Sequence, residues 1–487
     1  MITNKSVVMK NRLLFLLFLF LVISGCRQKT GNGKITEELI PISEKALNDT
    51  SSAFYAHFNE YPQERSDLPI GVFDSGTGGL TVLEAMLSLD AFNNKTGESG
   101  ADGVPDFSGE KFIYLADQIN MPYGNYAAEN KTEYLRELVI KDALFLTSPP
   151  NRSKLVVIAC NTATAYGLQD VSKLFQKGET GINVIGVINA AVNAVYDGSS
   201  KDDSIAVGVM ATVGTIASGG YERTLKEVAS QRGYISPVVV NQGGKGFAEA
   251  VDGEYDYIER SSKTVRDNYR GPAIGNDTLS INPDLMEVYN FDMSNNALLV
   301  KKKGAKIETI QLNSPGNYAR YHLVNMIDKY RQKGEKIKIG KVILGCTHYP
   351  YFKDTLEKCL GELRKYSKNG IYPYRDLIKE KVEFIDPARN VAIEAYNYAR
   401  EHNLLNPNGV TNSVMPYITV PADTLSLDKL DKAGNFKYEF KYGRSSGTEK
   451  QDFSVVPFSS KNINKDNLSR IQTRLPLTYS QIKSYTE

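Results

Sequence analysis

The chain has 487 residues, a formal net charge of +2, 41% hydrophobic and 23% charged residues. That length calls for more than one core, and the balance excludes a wholly disordered or fibrous chain. Near-neutral charge gives no footprint for a nucleic-acid partner, and 4 Cys and 4 His, all scattered, exclude a disulfide scaffold and a histidine-rich metal site.

Lys10 and Arg12 precede an apolar run, Leu13 to Ile23, that ends in Ser24-Gly25-Cys26. The run is short for a bilayer span and has the charged-then-apolar profile of an export signal. Small residues leading into a cysteine resemble a bacterial lipoprotein signal. On that reading residues 1–25 are removed and Cys26 is lipidated. The chain is then anchored to a membrane of the cell envelope, facing the periplasm or the exterior. A plain signal peptide or an N-terminal anchor is the alternative. Residues 26–68 read as a polar tether with one short helix around Ile40–Phe58.

From residue 69 short Val- and Ile-rich runs alternate with helical stretches. Strands are expected at Ile70–Phe73, Phe112–Leu115, Leu155–Ile158, Val184–Val187, Ile205–Val209, Val238–Val240, Ile339–Leu344 and Val382–Ile385. Helices are expected at Leu80–Leu89, Asn130–Phe145, Ala163–Phe175, Asn317–Tyr330 and Ala388–Glu401. The alternation predicts an α/β fold of parallel sheets covered on both faces.

The chain also repeats itself in layout. Ile70-Gly71-Val72-Phe73-Asp74 has its counterpart in Val207-Gly208-Val209-Met210-Ala211, and Ile158-Ala159-Cys160-Asn161-Thr162 in Leu344-Gly345-Cys346-Thr347-His348. Two similar lobes follow: residues 69–185, then 186–349 with an insertion at about 253–314, and a return to the first lobe over 350–404. Residues 405–487, rich in Asn, Ser, Lys and Pro, read as an irregular extension with strand character at Tyr438–Tyr442 and no part in catalysis.

The distinctive clusters all fall at expected strand ends, where open α/β sheets bind ligands. Asp74-Ser75-Gly76-Thr77-Gly78-Gly79 offers a tight turn but completes neither a phosphate-binding loop nor a dinucleotide fingerprint. Taken alone, it could simply cap the next helix. Cys160 and Cys346 each stand between a strand and a helix start, a position that favours a thiolate or holds a carboxylate. A lone cysteine there reads as a small buried hydrophobe; two at matching ends read as a pair. Cys359 lies in a charged helical stretch and reads as incidental. Inverting an α-carbon needs a base on one face and an acid on the other, and two opposed thiols can exchange those roles. Asp74 is placed to assist Cys160, and His348 to assist Cys346.

At these residues the sequence resembles the cofactor-independent glutamate racemases of the aspartate/glutamate racemase superfamily. The resemblance runs through Gly71–Val82, Leu115-Ala116-Asp117, Met121-Pro122-Tyr123-Gly124, Ala159–Ala163, Ala211-Thr212 with Thr215 and Ser218, Leu344–Pro350 and Phe384-Ile385-Asp386, over roughly residues 69–400. It implies two α/β lobes around one small acidic amino acid, with Cys160 and Cys346 as catalytic thiols and Asp74 and His348 as their assistants. It further implies that Ser75, Tyr123, Gly124, Asn161, Thr162, Thr212 and Thr347 bind the substrate's amino and carboxylate groups. The implied role is supply of D-glutamate for peptidoglycan, with no cofactor and no metal; a homodimer is left open. The chain departs from the family pattern at Ile188-Asn189-Ala190, at Asn241-Gln242-Gly243-Gly244 and at Pro387. A reshaped second lobe is therefore expected, and Glu249 or Glu254 stands near the place of an assisting glutamate. A racemase-fold lipoprotein that binds or senses an acidic molecule, and an aspartate racemase or related isomerase, are the alternative readings.

Overall fold

The computed structural model describes residues 38–486 apart from 305, 410, 411, 432, 433, 449, 450 and 464. The export signal and Cys26 therefore lie outside the described residues. Among the described residues no helix is long and apolar enough to cross a membrane.

Ile70–Asp74 (β1) is a continuous apolar run, and every residue of it is buried. Such a strand needs neighbours on both edges and cover on both faces. It pairs in parallel with Lys111–Ala116 (β2) and Leu155–Ile158 (β3), in register Val72 to Tyr114 and Val72 to Val157. Asn183–Gly186 (β4) follows beside β3. In the second lobe Ala206–Ala211 (β5) pairs in parallel with Val238–Gly243 (β6) on one edge. Its other edge takes Ile339–Gly345 (β9), which then pairs with Ile378–Ile385 (β10).

The first sheet thus contains the order β2-β1-β3-β4 and the second the order β6-β5-β9-β10. These are one topology used twice, which is the layout repeat read from the letters. β1 matches β5 and β3 matches β9, so Cys160 and Cys346 follow equivalent strands. Between β6 and β9 lies the expected insertion, which holds the antiparallel hairpin Leu298–Lys303 (β7) and Lys306–Leu312 (β8). Its Tyr257, Ile281, Leu298, Ile310 and Leu312 are buried in the core of the second lobe.

Several expectations need correction. Of the expected tether, residues from Ile40 onward belong to the body. Pro41–Asn48 is a helix, and Ile40, Ile42, Ala46, Phe54, Ala56 and Phe58 are buried in the first lobe's core with Leu174 and Phe175. A segment that buries this many apolar side chains is fixed by the hydrophobic effect, whatever its overall polarity.

The return to the first lobe starts later than residue 350. Lys353–Lys365 packs on the second lobe and β10 completes its sheet. Pro387–Glu401 then packs against both Leu80–Leu87 and Val187–Tyr196. Pro387 stands at the first turn of that helix, where its missing N–H costs nothing, and Asp386 caps it by accepting the Ala388 N–H at 2.9 Å.

The C-terminal extension is not an irregular appendage. Ser413–Pro421 (β11) adds in parallel to β2, and Phe453–Pro457 (β12) closes that edge in antiparallel. Tyr438–Gly443 is a helix, not a strand. Its alternating aromatics also satisfy an i,i+4 spacing: Tyr438 meets Tyr442 at 4.6 Å between ring centroids, and Phe436 meets Phe440 at 5.1 Å.

Candidate active site

β1 ends in Asp74, and the glycine-rich turn after it folds back so that the Gly79 N–H donates to Asp74 Oδ2 at 2.6 Å. At Gly78 the two lobes meet closely. A Cβ there would lie 2.7 Å from Thr347 Oγ1 and 3.1 Å from His348 Cε1, both from the turn after β9. The glycine is required by that approach. Asp74 is buried, and burial holds its carboxyl above the usual range against the hydrogen bonds from Gly79 and Cys160.

Cys160 follows β3 and caps the helix Asn161–Lys177, its sulfur accepting the Ala163 N–H at 3.4 Å. Its thiol donates to Ser75 Oγ at 3.6 Å. The expected thiolate is not what this geometry favours. Burial pushes the Cys160 pKa well up, the Asp74 charge pushes it further, and the helix-start N–H only partly opposes them. Burial and the Asp74 charge together favour its thiol form.

Cys346 follows β9, and its sulfur is 3.5 Å from His348 Nδ1. Burial lowers the His348 pKa, but the Cys346 contact and the charges of Cys346, Asp74 and Glu249 together hold it above its ordinary value. The imidazole is therefore a ready acceptor for the Cys346 proton. Glu249, on the helix Phe247–Asp252, has its own pKa raised by burial, with His348 pulling the other way. Cys160 and Cys346 are both free cysteines.

Polar side chains stitch the lobes together around these groups. Thr162 Oγ1 lies 3.2 Å from Thr215 Oγ1, which lies 2.9 Å from Thr212 Oγ1. The Tyr221 hydroxyl donates to Asn161 Oδ1 at 2.5 Å. Gly124 and Gly214 touch backbone to backbone: a Cβ on Gly214 would lie 2.5 Å from Gly124 Cα.

Asp74, Ser75, Cys160, Asn161, Thr162, Thr212, Thr347 and His348 thus all sit in the turns that face one another across the lobes. Tyr123 differs. Its phenol points into the first lobe, where its oxygen is 2.5 Å from Asp117 Oδ2 and 2.7 Å from Asp142 Oδ2. One hydroxyl can donate to only one of them, so the other carboxyl must itself be protonated to donate to the phenol oxygen, and burial with the Asp117 charge holds Asp142 well above the usual range. Tyr221 and Thr215 are partners that sequence reasoning did not assign a role. An aromatic on a helix reads as core, and nothing in its spacing marks a bond to the opposite lobe. The Asn241 side chain is engaged by Glu222, donating to its Oε2 at 2.9 Å. Among the described residues no group of His, Cys, Asp and Glu is arranged to hold a metal ion.

No family model matches the chain. A glutamate racemase of Carboxydothermus hydrogenoformans is 24% identical over 367 residues, covering 75% of this chain and 92% of that protein. The glutamate racemase of Oceanobacillus iheyensis is 35% identical over 164 residues, 34% of this chain and 48% of that protein. That of Enterococcus faecalis is 36% identical over 160 residues, 33% of this chain and 47% of that protein. The chain is similar in sequence to these glutamate racemases. The more identical matches span about half the length of the relative, and the match that spans nearly all of one is more distant. A solved glutamate racemase isoform of Bacillus anthracis aligns over 74% of this chain and 91% of its own length, with 21% identity and a TM-score of 0.43.

Proposed function

We propose that this protein is an amino-acid racemase that interconverts L- and D-glutamate by proton transfer between two thiols, without a cofactor. The observation that carries the proposal is the placing of two free thiols at equivalent strand ends of a repeated lobe, in turns that meet at Gly78.

Cys346 gives its proton to His348 and, as thiolate, removes the α-proton of one enantiomer. Cys160, kept protonated by burial and by Asp74, delivers a proton to the opposite face. The C–H bond broken on one side is replaced by a C–H bond formed on the other, and one thiol and one thiolate remain with roles exchanged. For the reverse direction Cys160 must lose a proton, and Asp74, whose raised pKa lets it hold one, is the acceptor. Ser75, Asn161, Thr162, Thr212 and Thr347, with the backbone at Gly124, supply the hydroxyl, amide and backbone groups that would hold the amino and carboxylate ends. Tyr123 enters only through its position beside Gly124.

The Leu13–Ile23 run and Ser24-Gly25-Cys26 support a second proposal, that Cys26 is lipidated and holds the enzyme on the envelope. Replacing Cys26 with Ser is expected to move the protein from the membrane to the soluble fraction.

The test of the racemase reading is chiral chromatography of purified protein with each enantiomer of glutamate and of aspartate, run in deuterated water. Inversion of glutamate with one solvent deuteron fixed at Cα per turnover is expected. Glutamate bound without inversion would instead mark a sensor, and faster inversion of aspartate would move the substrate.

A further inference from the structure

One side chain touches the turns that carry both thiols. Tyr221 stands on the helix Gly220–Arg232 of the second lobe and is 2% exposed. Its ring is buried with Val209, Ala211, Ile343 and Ile385. It also lies against Gly345, the residue before Cys346: a Cβ there would come within 2.7 Å of Tyr221 Cε2 and 3.2 Å of its Cζ. The ring is thus seated on the end of β9. From that seat the hydroxyl crosses to the first lobe and donates to Oδ1 of Asn161, the residue after Cys160, at 2.5 Å.

Asn161 opens the helix Asn161–Lys177, which fixes its backbone. The helix does not decide which way the side-chain amide faces, because rotation about that last bond is soft. The two ends of an amide are chemical opposites: the oxygen accepts and the nitrogen donates. Tyr221 chooses between them. Burial, then the charges at Cys346 and Asp386, pushes its pKa well up, so it stays a phenol and needs an acceptor. The amide oxygen is that acceptor, and the nitrogen is turned the other way. Among the described residues that nitrogen has no acceptor, and it keeps contact with solvent. Two N–H donors beside the Cys160 turn are therefore left for a ligand, and a carboxylate suits them. Turned end for end, the amide would present an acceptor to an anion and strand the buried phenol.

We propose that Tyr221 is a positioning residue: its hydroxyl, reaching across the lobes, sets the Asn161 amide with its N–H donors towards the substrate carboxylate. This rests on the racemase reading for the substrate and for the part of Asn161 in holding it.

The test is a double-mutant cycle on the full chain: wild type, Tyr221→Phe, Asn161→Ala and both together, each checked for folding by thermal melting. Phe keeps the ring on Gly345 and removes only the hydroxyl. Calorimetry gives the Kd for L-glutamate; kinetics give KM and kcat for racemisation. Asn161→Ala should raise Kd and KM about tenfold to a hundredfold, the worth of hydrogen bonds to a charged group. Tyr221→Phe should raise both at least about threefold, with a smaller change in kcat. Added to Asn161→Ala, the same Phe should change either constant less than about twofold, because the hydroxyl has no amide left to set. A tyrosine with a merely structural role would cost the same in both backgrounds. A smaller rise for Tyr221→Phe alone, or the same rise repeated in the Asn161→Ala background, would overturn the proposal. Should Tyr221→Phe not fold, Asn161→Ala decides: an unchanged glutamate Kd overturns the proposal, and the expected loss supports it. Absence of racemisation by the wild type overturns the racemase reading and leaves the cycle of Kd values to judge Tyr221; absence of glutamate binding as well overturns both. Racemisation with unaltered glutamate affinity in Tyr221→Phe overturns Tyr221 alone.

Discussion

Cys160 and Cys346 are expected to fail differently when removed. Each thiol is replaced by Ala, and racemisation and Cα–H exchange are followed separately in deuterated water by chiral chromatography with mass spectrometry. A positioned acid or base contributes about a hundredfold to ten-thousandfold, roughly 3–5.5 kcal/mol of barrier. Racemisation needs both thiols in each turnover, so each single variant should lose that whole factor. Exchange is another matter, because one thiol can remove a proton and return a deuteron to the same face. In Cys160→Ala the Cys346–His348 pair, 3.5 Å apart, stays intact and should exchange one enantiomer with retention. In Cys346→Ala the remaining thiol is the one that burial and Asp74 hold protonated. Each unit by which a thiol is displaced from neutrality costs about tenfold in thiolate. Exchange of the opposite enantiomer should therefore be slower by at least about tenfold than in Cys160→Ala. Preserved racemisation in either variant, exchange of both enantiomers by one variant, or faster exchange in Cys346→Ala would refute this assignment.

Other outcomes follow from packing and charge. Lys154 and Glu110 form a buried pair at 2.6 Å, with side chains 0% and 2% exposed. Lys154→Met should destabilise the fold by about 3–5 kcal/mol in urea titration by stranding the carboxylate, and adding Glu110→Gln should recover part of it. Gly214→Ala would drive a Cβ to 2.5 Å from Gly124 Cα, a backbone atom that cannot turn away. Racemisation should fall at least about tenfold through misplacement of the lobes, and unchanged kcat and KM would contradict the lobe contact described above. Lys441, hydrogen-bonded to the Met121 carbonyl at 2.5 Å, has its pKa lowered to about 8 from 10.5, chiefly by burial and then by Arg444. Between those values the unfolded chain binds more protons than the folded one, so stability should rise with pH across that window. Lys441→Met should flatten the rise, as thermal melting from pH 7 to 10.5 would show.

The letters alone determined the two-sheet α/β plan, because strands buried on both faces leave unbroken apolar runs such as Ile70–Phe73 and Leu155–Ile158. They also marked Cys160 and Cys346, since small polar clusters at the ends of such runs mark ligand-binding positions. Only the tertiary structure decided the rest. β11 carries Pro416 and Pro421 and pairs with a strand far up the chain; its Thr419 hydroxyl reaches Asp117 at 2.8 Å across 302 residues, which no local pattern encodes. The orientation of Tyr123 was set by two buried carboxyls, and the upward pressure on the Cys160 pKa by desolvation outweighing a helix start. Hydrophobic periodicity is local and survives in sequence. Charge, burial and cross-lobe contact are sums over distant neighbours and exist only once the chain has closed.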